Sequence, residues 1–339
     1  MLKRILAAVC CLMLIFAVGC DKTVIYDDLS DYETESEITE TVSATNPLTG
    51  LEVSKEVAEK RPVAIMVNNV KTAQKVQTGV TDADIVYETE VEGGITRLMA
   101  VYQDITGLDK IGSVRSARYP YVDLAMGHDA IYVHCGQDPT YCAPHLKDVD
   151  DLSIDTKSKG AKRISNGLSS EHTLYALAGD LWENISDTFK TKATVTDAWA
   201  NFTDEQLTLD GGTAESVSIP FPTQTESFTY DASTGLYTRL LGGAVATDYF
   251  TDEQVQVKNV FVLLTTISNY PDGKHRKVEL GSGDGYYVTN GTVQFIKWSK
   301  GDASNGFKFT DSEGKEIKVS TGKSWVCIAD KSTCNPGIQ

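Results

Sequence analysis

Charged and titratable side chains gather at the ends of short apolar runs between residues 88 and 136. One run carries alternating glutamates up to Glu92 and stops at Gly93-Gly94, which predicts a hairpin turn, with Arg97 just beyond. A second ends in Arg115 and Arg118, and a third delivers His134 into a turn. Strands fix such side chains and the loops after them leave them accessible, which is where α/β proteins place binding sites. The region is therefore the candidate ligand-binding site.

The first 19 residues have the composition of an export signal. Lys3 and Arg4 precede an apolar stretch from Ile5 to Val18, which is too short to predict a stable membrane span. Small residues stand directly before Cys20. An ordinary secretory signal is one interpretation; a lipoprotein signal with Cys20 as the lipidated residue is the favoured one. It predicts a lipid-anchored protein on the extracytoplasmic face of a bacterial cell membrane.

Residues 20–46 are rich in acidic and hydroxyl side chains and poor in large apolar ones, so they predict a flexible tether. The chain has a net charge of −16, which becomes −18 when Lys3 and Arg4 leave with the signal. That charge argues against binding to nucleic acid or to anionic lipid headgroups. A group of arginines in so acidic a protein then requires either internal carboxylate partners or an anionic ligand.

Two regions of different texture follow the tether. Residues 47–200 mix apolar strand-like runs with helix signals, including Pro120 at a helix start and a predicted helix from about His172 to Ile185. Residues 214–339 are short β-rich runs separated by turns, and Asn290-Gly291 is a strong hairpin signal. The predicted fold class is α+β, with a mixed α/β N-terminal domain and a mostly antiparallel β C-terminal domain.

The cysteines left after the signal and Cys20 form two pairs, each seven residues apart. In an oxidising compartment this spacing predicts two local disulfides, Cys135–Cys142 and Cys327–Cys334. Neither these cysteines nor the nearby histidines match a zinc-ligand frame, and no phosphate-binding loop leads into a helix. The sequence therefore predicts neither a metal nor a cofactor.

Several motifs, in order along the chain, resemble the YerB-like bacterial lipoproteins. They are VEGGITR, IGSVRSAR, DAIYVHCG and SSEHTLY in the first region, and SFTYDASTGLYTRL, KNVFVLL, ELGSGDGYYV and STGKSWVCIA in the second. The resemblance implies an exported lipoprotein with an N-terminal and a C-terminal module, both of unknown function. The positions that match the family's motifs are Glu92, Arg97, Arg115, Arg118, His134, Gly136 and His172.

Two interpretations of the arginines stay open. Arg97, Arg115 and Arg118 form a bidentate anion site, or they pair with Glu88, Glu90 and Glu92 and tie strands together. A mixture, with one arginine oriented by Glu92 and the others free, is a third arrangement.

Three functions follow from these interpretations. The favoured one is a noncatalytic protein that binds an anionic cell-envelope polymer or fragment. The others are an envelope hydrolase or transferase and a scaffold for another envelope protein. No acid/base pair stands out in the sequence, so catalysis is disfavoured.

Overall fold

The computed structural model describes residues 43–192 and 197–339. The predicted signal (1–19), Cys20 and most of the predicted tether (20–46) lie outside the described residues. The fold is largely β, with 40% of residues in strands and 14% in helices. Throughout the described part of the chain, no helix is both long enough and apolar enough to cross a membrane.

Strands of the first half of the chain are β1 Ser43–Thr45, β2 Glu52–Ser54, β3 Val63–Asn68, β4 Ile85–Glu90, β5 Thr96–Tyr102, β6 Lys110–Gly112, β7 Ile131–His134, β8 Asp151–Ser153, β9 Ala161–Arg163, β10 Leu174–Leu177 and β11 Phe202–Thr203. The second half has β12 Ser216–Pro220, β13 Thr225–Asp231, β14 Leu236–Leu241, β15 Ala244–Val245, β16 Gln256–Val257, β17 Asn259–Thr265, β18 Ile267–Asn269, β19 Arg276–Val278, β20 Ser282–Thr289, β21 Thr292–Ser299, β22 Lys308–Thr310, β23 Val319–Ser320, β24 Ser324–Asp330 and β25 Gly337–Ile338. The α-helices are α1 Lys55–Ala58, α2 Tyr119–Met126, α3 Ala178–Asn184 and α4 Asp187–Lys190. Short 3-10 helices cover Gln74–Val76, Val80–Asp82, Glu92–Gly94, Ala143–Asp148 and Ser170–His172.

A ten-stranded sheet in the order β22-β21-β20-β17-β24-β4-β5-β3-β7-β8 is the centre of the molecule. Strands β17, β24 and β4 run parallel to one another, and so do β3, β7 and β8. Strand β5 lies antiparallel between β4 and β3, so these two groups point the same way. The predicted domains 47–200 and 214–339 thus contribute strands to one sheet.

Alternation along the central strands divides the core between two faces of the sheet. Val63, Ile65 and Val67 of β3 belong to one buried cluster, whereas Ala64 and Met66 belong to the other. The first cluster continues into the sheet β15-β14-β13-β12-β25 and the small sheet β6-β10-β9. The second continues into α2 and the aromatic side chains of the C-terminal half. We call the side of the central sheet that carries the first cluster the β face, and the side that carries the second cluster the α2 face.

Turn chemistry explains two connections that the sequence predicts. Strands β20 and β21 pair in register up to Thr289 and Thr292. The two residues between them, Asn290 and Gly291, have φ of 52° and 71°, the left-handed values that a tight hairpin needs. Strands β4 and β5 also pair antiparallel around Gly93-Gly94, as expected.

The predicted helix from His172 to Ile185 is wrong. His172 ends a 3-10 turn, Leu174–Leu177 is strand β10, and the helix begins at Ala178. Leu174 and Leu181 both pack into the β-face cluster, although one lies on a strand and the other on a helix. Apolar spacing alone could not separate these two elements because both bury their leucines against the same sheet.

The two predicted disulfides are absent, because Cys135, Cys142, Cys327 and Cys334 are free. Cys135 packs against the β-face cluster and Cys142 lies in the α2-face cluster, so the sheet separates their environments. Cys327 and Cys334 are buried in one apolar cluster, where free thiols behave as small apolar side chains.

Candidate functional site

Most of the predicted site residues lie at the edge of the sheet where the parallel strands end. Glu92 follows β4, His134 is the last residue of β7, and Arg97 is the second residue of the antiparallel strand β5. In register, Arg97 lies between Asn68 at the end of β3 and Thr89 near the end of β4. Ligands of open α/β sheets bind at this edge, outside the carboxyl ends of the strands.

The arginine-bearing segment 113–117 is inserted between the ends of β3 and β7. On one side, Asn68 donates its N–H to the carbonyl of Ser113, and Arg115 donates to the carbonyl of Met66. On the other side, Cys135 donates to the carbonyl of Arg115. Backbone hydrogen bonds from both strands therefore fix the position from which Arg115 and Arg118 extend.

Glu92 is the carboxylate on which two arginines converge. Arg118 Nε donates to Glu92 Oε2 at 2.7 Å and Arg118 Nη2 donates to Oε1, a bidentate pair. Arg97 Nη2 donates to Glu92 Oε1 at 3.1 Å, and Arg97 Nη1 donates to the carbonyl of Ser116 at 2.5 Å. The structure is thus close to the mixed arrangement, in which Glu92 orients one arginine and the others are free, except that Glu92 orients two arginines.

Burial and neighbouring charges shift the pKa values of Glu92 and Arg97. Burial alone would raise the pKa of Glu92, but the hydrogen bond from Arg118 and the charges of Arg97 and Arg118 lower it to about 2. Burial and the neighbouring charge of Arg118 lower the pKa of Arg97 to about 10, and Arg115 adds to this effect. The arginines at the site thus hold more positive charge than Glu92 balances.

Arg115 is bound much less completely than the other two arginines. Its Nη1 donates to the carbonyl of Glu171 at 3.1 Å and lies 3.4 Å from Glu171 Oε2. The side chain of Glu171 is 58% exposed, and water weakens such an ion pair. The Nε atom of Arg115 is buried and has no hydrogen-bond partner among the described residues.

A fourth arginine adjoins Arg115 and was not singled out from the sequence. Arg163, the last residue of β9, donates from Nη1 to the carbonyl of Ser170, next to the carbonyl of Glu171 that Arg115 binds. Burial raises the pKa of the Cys135 thiol and the charges of Arg163 and Arg115 both oppose this shift, so the two arginines lie near the same side chain. No local sequence signal marks Arg163, because the pairing of β9 with β10 brings it to this loop.

The two candidate histidines are both engaged within the protein. His134 is fully buried, with Nδ1 2.8 Å from the carbonyl of Gly136 and Nε2 3.1 Å from Asp151 Oδ2. His172 Nδ1 lies 2.7 Å from Asn68 Nδ2, which donates to it. Neither ring nitrogen of His134 is free for a substrate, so His134 is a structural residue in this arrangement.

Glu88 and Glu90 do not pair with Arg97, Arg115 or Arg118, which we call the arginine cluster. Alternation along β4 directs Glu88 to the β face, away from the helix α2 that carries Arg118 at its N-terminus. Glu88 Oε1 accepts from Asn69 and Thr96, at 2.9 and 2.6 Å. Glu90 pairs instead with Arg276 of β19, at 2.8 Å.

A buried polar network on the β face was also not predicted from the sequence. Arg239 of β14 is fully buried, binds both oxygens of Glu226 at 2.8 and 2.9 Å, and lies over the ring of Trp325. It also donates to Gln77 and Asn69, which link it to Glu88. A charged residue inside the apolar run LYTRLL was the available signal for this network.

Across residues 43–192 and 197–339, no three His, Cys, Asp or Glu side chains come together in a way that could hold a metal ion. The donors at the carboxyl ends of the strands are the guanidinium groups of Arg97, Arg115 and Arg118, whose planar forks match carboxylate or phosphate oxygens.

Comparison with known proteins places this arrangement in a family. Residues 48–193 match the model described as "Protein of unknown function (DUF3048) N-terminal domain". Residues 217–326 match the corresponding C-terminal domain. A Bacillus subtilis (strain 168) protein named "Putative lipoprotein YerB" is 30% identical over 292 residues, which are 83% of this chain and 85% of that protein.

A solved structure is also similar. The crystal structure of the YerB protein from Bacillus subtilis aligns with a TM-score of 0.72 at 26% identity, covering 87% of this chain and 99% of that one. Two family modules, a relative over most of its length and a matching fold agree with one another. The chain therefore belongs to the YerB-like DUF3048 family of proteins of unknown function.

Proposed function

We propose that the protein is a lipid-anchored, noncatalytic receptor outside the cytoplasm that binds an anionic cell-envelope ligand at the Arg115 side of the arginine cluster. The anchor is supported by the small residues before Cys20 and by the name of the Bacillus subtilis relative. A diacylated cysteine supplies stable membrane binding, whereas a single chain binds only marginally.

The observation that supports a ligand is the incomplete pairing of Arg115. Arg97 and Arg118 are satisfied by Glu92 and by carbonyl oxygens, so they form a rigid, positively charged base. Arg115 faces an exposed carboxylate at 3.4 Å and keeps a buried Nε without a partner among the described residues. Because Nε is closed off from solvent, a ligand oxygen would meet Arg115 at its Nη atoms, where the competing side chain is the exposed carboxylate of Glu171.

The ligand class follows from the donors. Guanidinium groups bind phosphate and carboxylate oxygens, and Arg163 extends the donors beyond Arg115. The protein carries a net charge of −16, so a polyanion is repelled at long range and is held only by local contacts. Fragments that carry one phosphate or one carboxylate on a sugar or polyol are therefore the suitable ligands for a first test.

Noncatalytic binding is favoured over hydrolysis or transfer because the titratable groups at the site are occupied. Glu92 is held ionised between two arginines, and His134 has both ring nitrogens engaged. A general acid or base needs a group that can exchange a proton near neutral pH within reach of a substrate. Glu92 does not exchange a proton near neutral pH, and both ring nitrogens of His134 face protein acceptors and not a substrate.

Two measurements test the proposal. Thermal unfolding of the chain from residue 43 onward, called the soluble body below, with glycerol 3-phosphate and with glucuronate should show a saturable stabilisation that Arg115→Ala removes, and glycerol is the uncharged control. No saturable shift with either anion would contradict the ligand. For the anchor, wild-type protein should fractionate with membranes, and Cys20→Ala should stay uncleaved or be released in soluble form. An unmodified Cys20 in mature wild-type protein would contradict the anchor.

A further inference from the structure

A large cleft lies away from the arginine cluster, on the α2 face of the molecule. Its volume is about 1040 Å³, at the upper end of the size of small-molecule sites. Side chains of Trp199, Phe307 and Phe309 form its apolar wall, and all three belong to the α2-face cluster. The hydroxyl and amide groups that line it come from Asn201, Ser282, Ser299, Ser304 and Asn305.

His128 lines this cleft with a fixed tautomer. The indole N–H of Trp199 donates to the hydroxyl oxygen of Tyr87 at 3.0 Å. The Tyr87 hydroxyl lies 2.8 Å from His128 Nε2, which is the one acceptor for its buried proton among the described residues, so we assign the proton of this hydrogen bond to the tyrosine. Nε2 is therefore the acceptor, and the ring proton of neutral His128 is on Nδ1. Burial and the charge of Lys300 lower the pKa of His128 to about 3, which keeps the ring neutral.

Lys300 provides a second donor beside His128. The residue is 4% exposed, and its ammonium donates to the carbonyls of Asp302 and Ala303, which uses two of its three protons. Burial lowers the pKa of Lys300 to about 8, and nearby Asp123 opposes this shift. The ammonium group is therefore protonated at neutral pH, with part of its charge already balanced by Asp123.

These features define a ligand with acceptor oxygens, apolar ring faces and no net charge. A purely apolar ligand would cover the serine and asparagine groups of the lining without giving them hydrogen-bond partners, which is unfavourable. An anion would gain little, because Asp123 already lies near Lys300, and Lys308 and Glu316 offset each other in the lining. An acetamido sugar combines a carbonyl acceptor, hydroxyls for the serine and asparagine groups, and C–H faces for the aromatic wall.

We propose that this cleft is a second site, which binds a short neutral segment of an N-acetylated glycan. The site shares no residue with the arginine cluster and does not depend on anion binding there. Its carbonyl-recognising part is the donor pair of His128 and Lys300, and its rim is the loop that carries Ser304 and Asn305.

Isothermal titration of the soluble body with N,N′-diacetylchitobiose tests the proposal, with cellobiose as the probe that lacks the acetamido groups. We expect saturable binding of diacetylchitobiose and at least tenfold weaker binding of cellobiose. Ser304→Trp, which fills the cleft from an exposed loop, should weaken binding by at least twentyfold. Asn305→Ala should weaken it several-fold.

Ser268→Trp is the matched control, because Ser268 is exposed and does not line the cleft. It should bind diacetylchitobiose as the wild type does. The proposal is overturned if diacetylchitobiose gives no saturable heat, if Ser304→Trp binds it as tightly as the wild type, or if cellobiose binds equally well. Circular dichroism of each variant establishes that it is folded, so that a loss of binding reports on the cleft.

Discussion

Arg118 holds both carboxylate oxygens of Glu92, with Nε at 2.7 Å from Oε2 and Nη2 on Oε1. The pair joins the end of β4 to the N-terminus of α2, and Arg97 completes it from β5. The cluster is thus in part a structural tie between the central sheet and the helix that covers its α2 face. Under the proposed function, Arg115 and its neighbour Arg163 are then the arginines that bind the ligand.

The first prediction concerns stability in acid. The pKa of Glu92 is lowered from 4.5 to about 2, so its ionised form stabilises the fold above pH 4.5 and this stability is lost as the pH falls towards 2. Glu92→Gln removes this dependence and leaves Arg97 beside Arg118 without a carboxylate. We expect the variant to be less stable than wild type at pH 7, by an amount that shrinks between pH 4.5 and 2. Urea unfolding across this range measures it, and a constant difference would contradict the assignment.

Glu88 should show the opposite sign. Burial and the nearby charge of Glu226 raise its pKa well above the ordinary value, although Arg239 opposes the shift. The protonated form therefore stabilises the fold, fully below about pH 4.5 and less as the pH rises through the raised pKa. Glu88→Gln, which stays neutral, should gain stability relative to wild type from pH 5 to pH 9.

Denaturant unfolding at pH 5 and pH 9 measures this relative gain, and an unchanged difference between the two proteins would disprove the shift. Glu226→Gln is the contrasting variant. It removes the bidentate partner of buried Arg239, so it should be destabilised at both pH values, by about 3–5 kcal/mol.

The third prediction follows from the free cysteines. Cys135 is partly exposed, whereas Cys142, Cys327 and Cys334 are buried. In the native soluble body one thiol should react with a thiol reagent, and slowly, because burial raises the pKa of Cys135. All four should react after denaturation without reductant. Peptide mapping that finds Cys135 joined to Cys142, or Cys327 joined to Cys334, would restore the disulfides predicted from the sequence.

The fourth prediction treats Glu171 as a competitor for Arg115. Its exposed carboxylate occupies the position near Arg115 that a ligand anion would take. Glu171→Gln keeps the backbone carbonyl that Arg115 binds and removes only the charge. We expect glycerol 3-phosphate to bind two- to tenfold more tightly to this variant. Glu183→Gln, an exposed change on α3, is the control for net charge, and equal effects of the two changes would exclude competition.

Local patterns predicted much of the fold because they are encoded in neighbouring residues. The hairpin at Asn290-Gly291 and the helix that starts near Pro120 are both present. Long-range pairing was not predictable in the same way. Strand β24, near the end of the chain, pairs with β4, and no local signal reports a contact between residues so far apart.

The candidate site was also predictable only in the part that local sequence patterns determine. The convergence of Glu92, Arg97 and Arg118 was among the arrangements that spacing allowed, since all three lie at ends of apolar runs. The sequence did not show which carboxylate pairs with which arginine, because the pairing depends on the face of β4 to which each glutamate points. Arg163 and the cleft near His128 depend entirely on tertiary packing.

The most direct test of the account is the affinity of glycerol 3-phosphate for the wild type and for three variants, measured by isothermal titration. We predict that Arg115→Ala costs about 1.5–3 kcal/mol of binding, the range for hydrogen bonds to charged groups. Arg115→Lys should lose nearly as much, because it keeps the charge and loses the fork. Arg118→Lys should reduce stability more than binding, since its fork is occupied by Glu92. Equal affinities for the wild type, Arg115→Ala and Arg115→Lys would contradict the account.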